Sequence, residues 1–304
     1  MLRDGEHIIT KPKNEMSTNE IIKYMVGRSI DYKQNNKLND INESEQKNVL
    51  LEVKNLNRLG VFKDISFDLK SGEIIGITGL VGAGRTEIAE AIFGITSETS
   101  GRVLVYGEEV QNRTPKMMLQ KGVAYLPEDR DNKGCIVDMT ILENVNLSIM
   151  DRLAKYGIRN IAEEKNIGEG FREKLQIKAS TMEAPVKSLS GGNRHKVVLS
   201  KWLATNPKVM ILDEPTHGID VAVKEQVHQI IRDMANEGIG IVVISSDLPE
   251  VLSISDRILV IAEGELVADF DIHEATQEII MEAAILRKLK KMEFSEADEH
   301  IKNN

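Results

Sequence analysis

The chain has 304 residues, 41% of them hydrophobic and 29% charged, which is enough for one large domain or two modest ones. No apolar run approaches the roughly 20 residues needed to cross a bilayer, and the opening MLRDGEHIITKPKN lacks the apolar stretch of a signal peptide, so neither secretion nor membrane insertion is expected. A single cysteine, Cys135, excludes an internal disulfide and a cysteine-rich metal site, in keeping with a reducing compartment, and a net charge of −9 supplies no general field for nucleic acid.

In chain order, LRDGEHIIT predicts a strand and turn, and Ser17 with Glu20 forms a capping box for a helix over 18–27. Residues 31–48, dense in Asn, Asp, Lys and Glu and almost without apolar periodicity, predict a flexible linker. The opening piece is too small to fold alone, and it has an echo: RDGEHIIT at 3–10 resembles AEGELVAD at 262–269, and STNEIIKYM at 17–25 resembles ATQEIIMEA at 275–283. Gly5 matches Gly264, Glu20 matches Glu278 and Ile21 matches Ile279, so the opening reads as the tail of a preceding domain similar to the one that follows.

From 49 onward strands and helices alternate. Apolar alternation over 50–69 predicts antiparallel strands, followed by a very apolar strand at 73–78 and a helix after Arg85. Residues 140–205 are mostly helical by period, with Leu153, Tyr156 and Phe171 expected largely in the core. VMILDE at 209–214 and IGIVVIS at 239–245 read as buried parallel strands sharing one sheet with 73–78, which makes the fold class α/β.

Gly79-Leu80-Val81-Gly82-Ala83-Gly84-Arg85-Thr86 follows a strand and opens a helix, which fits a phosphate-binding loop at every position except the usual lysine. Its glycines let backbone N–H groups close around phosphates, the helix N-terminus adds a favourable dipole, and the Thr86 hydroxyl is placed to ligate Mg²⁺. Arg85 keeps the positive charge but is bulkier and planar, so it does not reproduce a compact ammonium between phosphates. Asp213 and Glu214 end the apolar run VMIL, where Asp213 suits a hydrated Mg²⁺ and Glu214 suits an attacking water. Ser190, Gly191 and Gly192 begin a second Gly-rich helix suited to an anion, and one nucleotide does not need two cradles, so a partner's nucleotide is the economical target.

Together these segments resemble the ATP-binding cassette (ABC) family: a Walker A variant at 79–86, the LSGGN signature at 189–193, a Walker B strand at 209–214 and a D-loop at Gly218-Ile219-Asp220. The resemblance implies a P-loop NTPase cassette over 49–272, with a RecA-like parallel core, an antiparallel β subdomain and a helical subdomain at about 138–205. Residues 1–30 would then be the tail of an earlier cassette, 31–48 the linker and 273–304 a C-terminal helix and solvated tail. Pro127-Glu128-Asp129-Arg130 and Asp213-Glu214-Pro215-Thr216 resemble the second cassette of duplicated ATP-binding subunits from ribose- and galactose-type sugar importers.

By that resemblance two cassettes stack head to tail, each ATP lying between one Walker A loop and the opposing signature. The ligands implied are ATP, contacted by Gly79, Gly82, Ala83, Gly84, Arg85 and Thr86, and Mg²⁺, held by Thr86, Asp213 and Glu128, while Ser190, Gly191 and Gly192 serve the opposing site. Three departures fall on one Walker face: Arg85, Glu128 in place of the usual Q-loop glutamine, and Ser246 in place of the switch histidine. With Glu214 retained and a positioning donor lost, this site is expected to be slow, since such a loss commonly costs about 10²–10⁴-fold in rate. No aromatic residue stands near 58–60 to stack on adenine, and Phe62 reads as core. His195 and His217 read as ordinary polar or satisfied side chains, and no metal cluster is proposed.

The implied partners are the first cassette or a second copy of this chain, membrane permease subunits and, indirectly, an extracytoplasmic sugar-binding protein, but not nucleic acid. The implied location is cytoplasmic, peripheral on the inner face of the membrane. Two other readings stay open: a non-hydrolytic regulatory nucleotide-binding module, and a soluble cassette acting outside transport, for which a basic surface or long coiled-coil insertion would be expected.

Overall fold

The computed structural model describes residues 2–3, 6–7, 9–12, 48–96, 100–129, 133–219 and 221–285. The helix expected over 18–27, residues 31–47 of the linker, Arg130, Asp220 and the tail from 286 lie outside these residues. Within the opening, β1 (Leu2–Arg3) pairs antiparallel with β2 (Glu6–His7).

Alternating apolar residues build an antiparallel sheet from β3 (Val49–Arg58), β4 (Phe62–Lys70), β6 (Ser100–Val105) and β7 (Glu108–Glu109), in the order β4-β3-β6-β7. Phe62, Ile65, Phe67 and Leu69 of β4 are buried, so Phe62 is core as its alternation indicates. The second sheet contains β5 (Ile74–Gly79), β8 (Val123–Leu126), β11 (Val209–Asp213), β12 (Gly240–Ile244), β13 (Arg257–Ala262) and β14 (Glu265–Asp271). Its order is β14-β13-β5-β12-β11-β8, parallel throughout except for the edge strand β14. The four residues of β8 and the five each of β11 and β12 are all buried, because helices and the other sheet cover both faces.

One core lies between the two sheets and α1 (Arg85–Phe93), where Leu51, Phe62, Ile75, Ile88, Phe93 and Val209 meet. The other lies on the opposite face of the parallel sheet, against α3 (Ile141–Asn146), α6 (Gly191–Leu203) and α7 (Val221–Asn236), after the short α2 (Pro115–Gln120). Thr140 and Glu143 form a reciprocal capping box at the start of α3, which explains why the helix begins there. The segment 140–205 is helical in large part, with α4 (Met150–Leu153), α5 (Ile161–Lys174) and α6, but it is interrupted by a hairpin of β9 (Ala154–Lys155) and β10 (Ile158–Arg159). Leu153 is buried and Phe171 packs against the core, whereas Tyr156 is 93% exposed at the hairpin turn. Tyr156 and Gly157 both have positive φ, the backbone of a tight two-residue turn, which is why helical spacing misplaces this residue. The helix α8 (Leu248–Ile254) follows β12, and residues 277–285 are helical. Among the described residues no helix is long and apolar enough to cross a membrane.

Candidate functional site

In an open parallel sheet, ligands bind beyond the carboxyl ends of the strands. Here β5, β12, β11 and β8 are consecutive neighbours, and their ends deliver Gly79, Ile244, Asp213 and Leu126 to one edge. A cleft of about 380 Å³ opens there, lined by Gly82, Ala83, Gly84, Arg85, Thr86, Glu128, Asp213, Glu214 and Ser246 among others. Nine of the positions expected at the Walker face therefore share one cavity. Gly79, at the end of β5, does not line it, and Ser190, Gly191 and Gly192 lie outside.

The loop is shaped by its glycines. A Cβ on Gly79 would stand 2.0 Å from the Ile261 carbonyl oxygen at a φ of 151°, so no other residue fits between β5 and β13. Gly84 begins α1 in the left-handed conformation, and no side chain caps the helix. The first-turn N–H groups, which have no intrahelical acceptor, are thus left to a ligand.

The acids are held by the neighbouring strands. Asp213 is buried; Tyr125 on β8 donates its hydroxyl to Asp213 Oδ2 at 3.1 Å, and the Thr86 side chain is also hydrogen-bonded to this carboxylate. Asp213 Oδ1 is buried with no hydrogen-bond partner. Burial pushes the Asp213 carboxyl up to about 6, with the Glu128 and Glu214 charges adding to it, although the Thr86 and Tyr125 hydrogen bonds oppose the shift. Burial and the Asp213 charge likewise push the Tyr125 phenol up. An orphaned buried carboxylate oxygen beside a threonine hydroxyl fits a hard divalent cation, whose charge would reverse these electrostatics.

Glu214 occupies the left-handed region at a φ of 47°, which is sparsely populated for a residue with a side chain and is a form of strain concentrated at functional sites. Its N–H donates to the Ile244 carbonyl at 2.8 Å, and its Oε1 accepts from the Ser246 N–H at 2.8 Å. Arg85 Nη1 stands 3.8 Å from the same oxygen, with both side chains largely buried. Ser246 thus touches Glu214 through its backbone. Glu128 is half exposed, 3.8 Å from His217 Nδ1.

The signature residues begin α6. Ser190 occupies its N-cap, and its hydroxyl accepts from Asn193 Nδ2 at 3.1 Å. A second, smaller cleft of about 210 Å³ is lined by Glu128, Asp129, Gly191, Arg194, His195, Gly218 and Ile219, so Glu128 borders both clefts. Tyr125 is a site residue that motif reading does not find. Its signal is the apolar run of β8 just before Pro127-Glu128, which becomes meaningful only when β8 is seen beside β11.

The family profile described as ABC transporter matches residues 62–217. Among curated relatives, the ribose import ATP-binding protein of Rhodococcus jostii is 43% identical over 93% of this chain, which covers 56% of that protein. The putative ribose/galactose/methyl galactoside import ATP-binding protein 2 of Rhizobium meliloti is 41% identical over 93% of the chain and 55% of its own length. For the xylose import ATP-binding protein of Geobacillus kaustophilus the values are 42%, 93% and 57%. The chain thus spans about half the length of the curated relatives it matches.

Among solved structures, the ADP conformation of an ATP-binding cassette of an ABC transporter superposes with a TM-score of 0.63 at 20% identity, covering 81% of this chain and 98% of that one. A dimeric post-hydrolysis cassette bound to ADP and Pi gives 0.64 at 20% identity, covering 73% and 99%. These likenesses establish an α/β ATP-binding cassette fold. With the profile match over the strands and loops that build the cleft, they place the chain in the ABC transporter family.

Proposed function

We propose that the chain is the C-terminal half of an ATP-binding, energy-coupling subunit of a carbohydrate importer. The carrying observation is that the phosphate loop, Asp213, Glu214 and Ser246 share one cleft in a chain more than 40% identical to import ATP-binding proteins. Support for the missing first half comes from the matched share of those relatives and from the likeness of 3–10 to 262–269. Mg²⁺ would be held by Thr86 and Asp213, with Glu128 at the cleft rim. When bound there, the ion would supply charge neutralisation for the phosphates.

This chain's own residues would do the rest. The glycine loop and α1 cradle the phosphates, Arg85 pairs with them, and Glu214 orients a water with its carboxylate fixed by the Ser246 N–H. We assign this site slow turnover, because Ser246 supplies no imidazole and Arg85 faces the carboxylate that should receive water. Ser190, Gly191 and Gly192 would complete the site of the opposing cassette, either the missing first half or a second copy of the chain. Permease subunits and, beyond the membrane, a sugar-binding protein would be the further partners, with the chain on the cytoplasmic membrane face.

The Arg85–Glu214 contact also favours a second reading, in which this site binds nucleotide without hydrolysing it and serves as a regulatory partner. Phosphate release by the 304-residue chain alone, wild type against Glu214→Gln, separates the two. A fall of at least tenfold supports hydrolysis, whereas an unchanged rate leaves binding alone.

A further inference from the structure

Behind the cleft, and outside the motifs, lies a buried carboxylate that ties both catalytic loops together. Glu250 of α8 is 2% exposed. Its Oε1 accepts from the Thr216 hydroxyl at 2.5 Å and from His228 Nε2 at 2.8 Å, and its Oε2 accepts from the Ser245 hydroxyl. Thr216 lies two residues beyond Glu214, on the loop after β11; Ser245 immediately precedes Ser246, on the loop after β12; His228 belongs to α7. One side chain therefore joins three elements at the point where Glu214 and Ser246 touch.

The joint is reinforced from both sides. The Asp247 N–H donates to the Ser245 hydroxyl at 3.1 Å, and Thr78 at the end of β5 donates its hydroxyl to the Ser245 carbonyl at 3.0 Å. Asp247 caps α8 by accepting from the Glu250 N–H, and Lys224 of α7 reaches Asp247 in turn. Burial works against ionisation of Glu250, yet the hydrogen bonds from His228, Ser245 and Thr216 and the Lys224 charge outweigh it and hold the carboxyl below its ordinary range. A charge kept deep in the fold by three donors costs desolvation free energy that an apolar side chain would avoid. Its use must lie in the geometry it imposes.

We propose that Glu250 is a positioning residue for hydrolysis, holding the Thr216 and Ser245 loops in the register that lets the Ser246 N–H fix the Glu214 carboxylate. The inference rests on the reading of the cleft as a hydrolytic ATP site. Glu214 sits in strained left-handed backbone, so its direction depends on the loops on either side. A displacement of about 1 Å at a catalytic group can cost 10²-fold in rate, which sets the scale expected for loosening this joint.

The test is a double-mutant cycle on ATP turnover by the full 304-residue chain with Mg²⁺-ATP, comparing wild type, Glu250→Gln, Glu214→Gln and the double variant. Glu250→Gln keeps the shape but not the charge, and it is expected to lower kcat by about ten- to a hundredfold with KM for ATP within about twofold. In the Glu214→Gln background it should cost nothing further, because it acts only through Glu214. Should Glu250→Gln fail to fold, Thr216→Val removes one donor with little change in volume and carries the same cycle, with a smaller fall in the same direction. Wild-type turnover in folded Glu250→Gln, alongside a fall in Glu214→Gln, would overturn the proposal while sparing the hydrolytic reading. Losses that multiply in the double variant would also overturn it, since they mark an effect on the fold at large. An unchanged rate in Glu214→Gln would remove the hydrolytic reading and this proposal with it.

Discussion

Arg85 reaches from the first turn of α1 to within 3.8 Å of Glu214, and its Nη1 is buried without a hydrogen bond. A guanidinium so placed carries unsatisfied donors at the mouth of an anion cradle, which is how it would contribute to phosphate binding. Hydrogen bonds to charged groups contribute about 1.5–3 kcal/mol, so Arg85→Ala should raise the Kd for Mg²⁺-ATP about ten- to a hundredfold in calorimetry. An unchanged Kd would mean that Arg85 serves Glu214 alone. Arg85→Lys should give a compact ammonium that binds phosphate without placing a planar guanidinium against Glu214. Turnover at this site is then expected to rise by about tenfold, read as phosphate release at saturating ATP. The identity of Arg85 is plain from the chain, yet its neighbour across the cleft is not, because Glu214 comes from a strand over a hundred residues away.

Elements set the loop in place through turns that carry no motif of their own. The Gly264 N–H donates to the Ala83 carbonyl at 3.0 Å, and the Gly264 carbonyl accepts from Lys63 at 2.8 Å, so the β13–β14 turn clamps the phosphate loop to the start of β4. Gly264 has a φ of 77°, and a Cβ there would lie 2.2 Å from the Val61 carbonyl oxygen. Gly264→Ala should therefore cost about 2–4 kcal/mol in urea unfolding and weaken ATP binding as well. A loss under about 1 kcal/mol would show that the three turns move independently. Helix α6 supplies a pH test: Lys201 is buried beside Trp202, its ammonium 4.5 Å from the ring centroid, and its Nζ donates to the Gly134 carbonyl. Burial pushes this lysine down to about 8, with Cys135 opposing weakly. The unfolded chain then holds a proton that the folded chain releases between about pH 8 and 10.4, so raising pH across that window favours the fold. The gain should reach about 3 kcal/mol at most, seen as a higher urea midpoint for wild type that is absent in Lys201→Met.

At the scale of the whole molecule the two glycine-rich helix starts border separate clefts, and Glu128 lines both. In the proposed two-cassette arrangement such a chain would offer half of two sites, and it covers 56% of the Rhodococcus jostii relative. In the proposed two-cassette subunit, Ser190→Arg should lower ATP turnover at least tenfold by obstructing the opposing site, where Glu214→Gln should lower it less than twofold. Equal effects would place the main hydrolytic site here instead. The strand alternation of 50–69, the apolar runs ending at Gly79 and Asp213 and the glycine pattern of 79–86 were legible along the chain, because each is a local periodicity or a backbone requirement written in consecutive residues. The exposed Tyr156 was not, since two turn residues interrupt a helical period without any Asn-Gly or Asp-Gly signal. Nor were the partners of the acids: Tyr125 is 88 residues from Asp213, and Thr216 and His228 are 34 and 22 residues from Glu250. Chemistry-bearing residue types and the elements that carry them were thus determined by sequence alone. Which side chains meet was decided by the order of strands in the parallel sheet, because hydrogen bonds between elements depend on neighbours that no local pattern specifies.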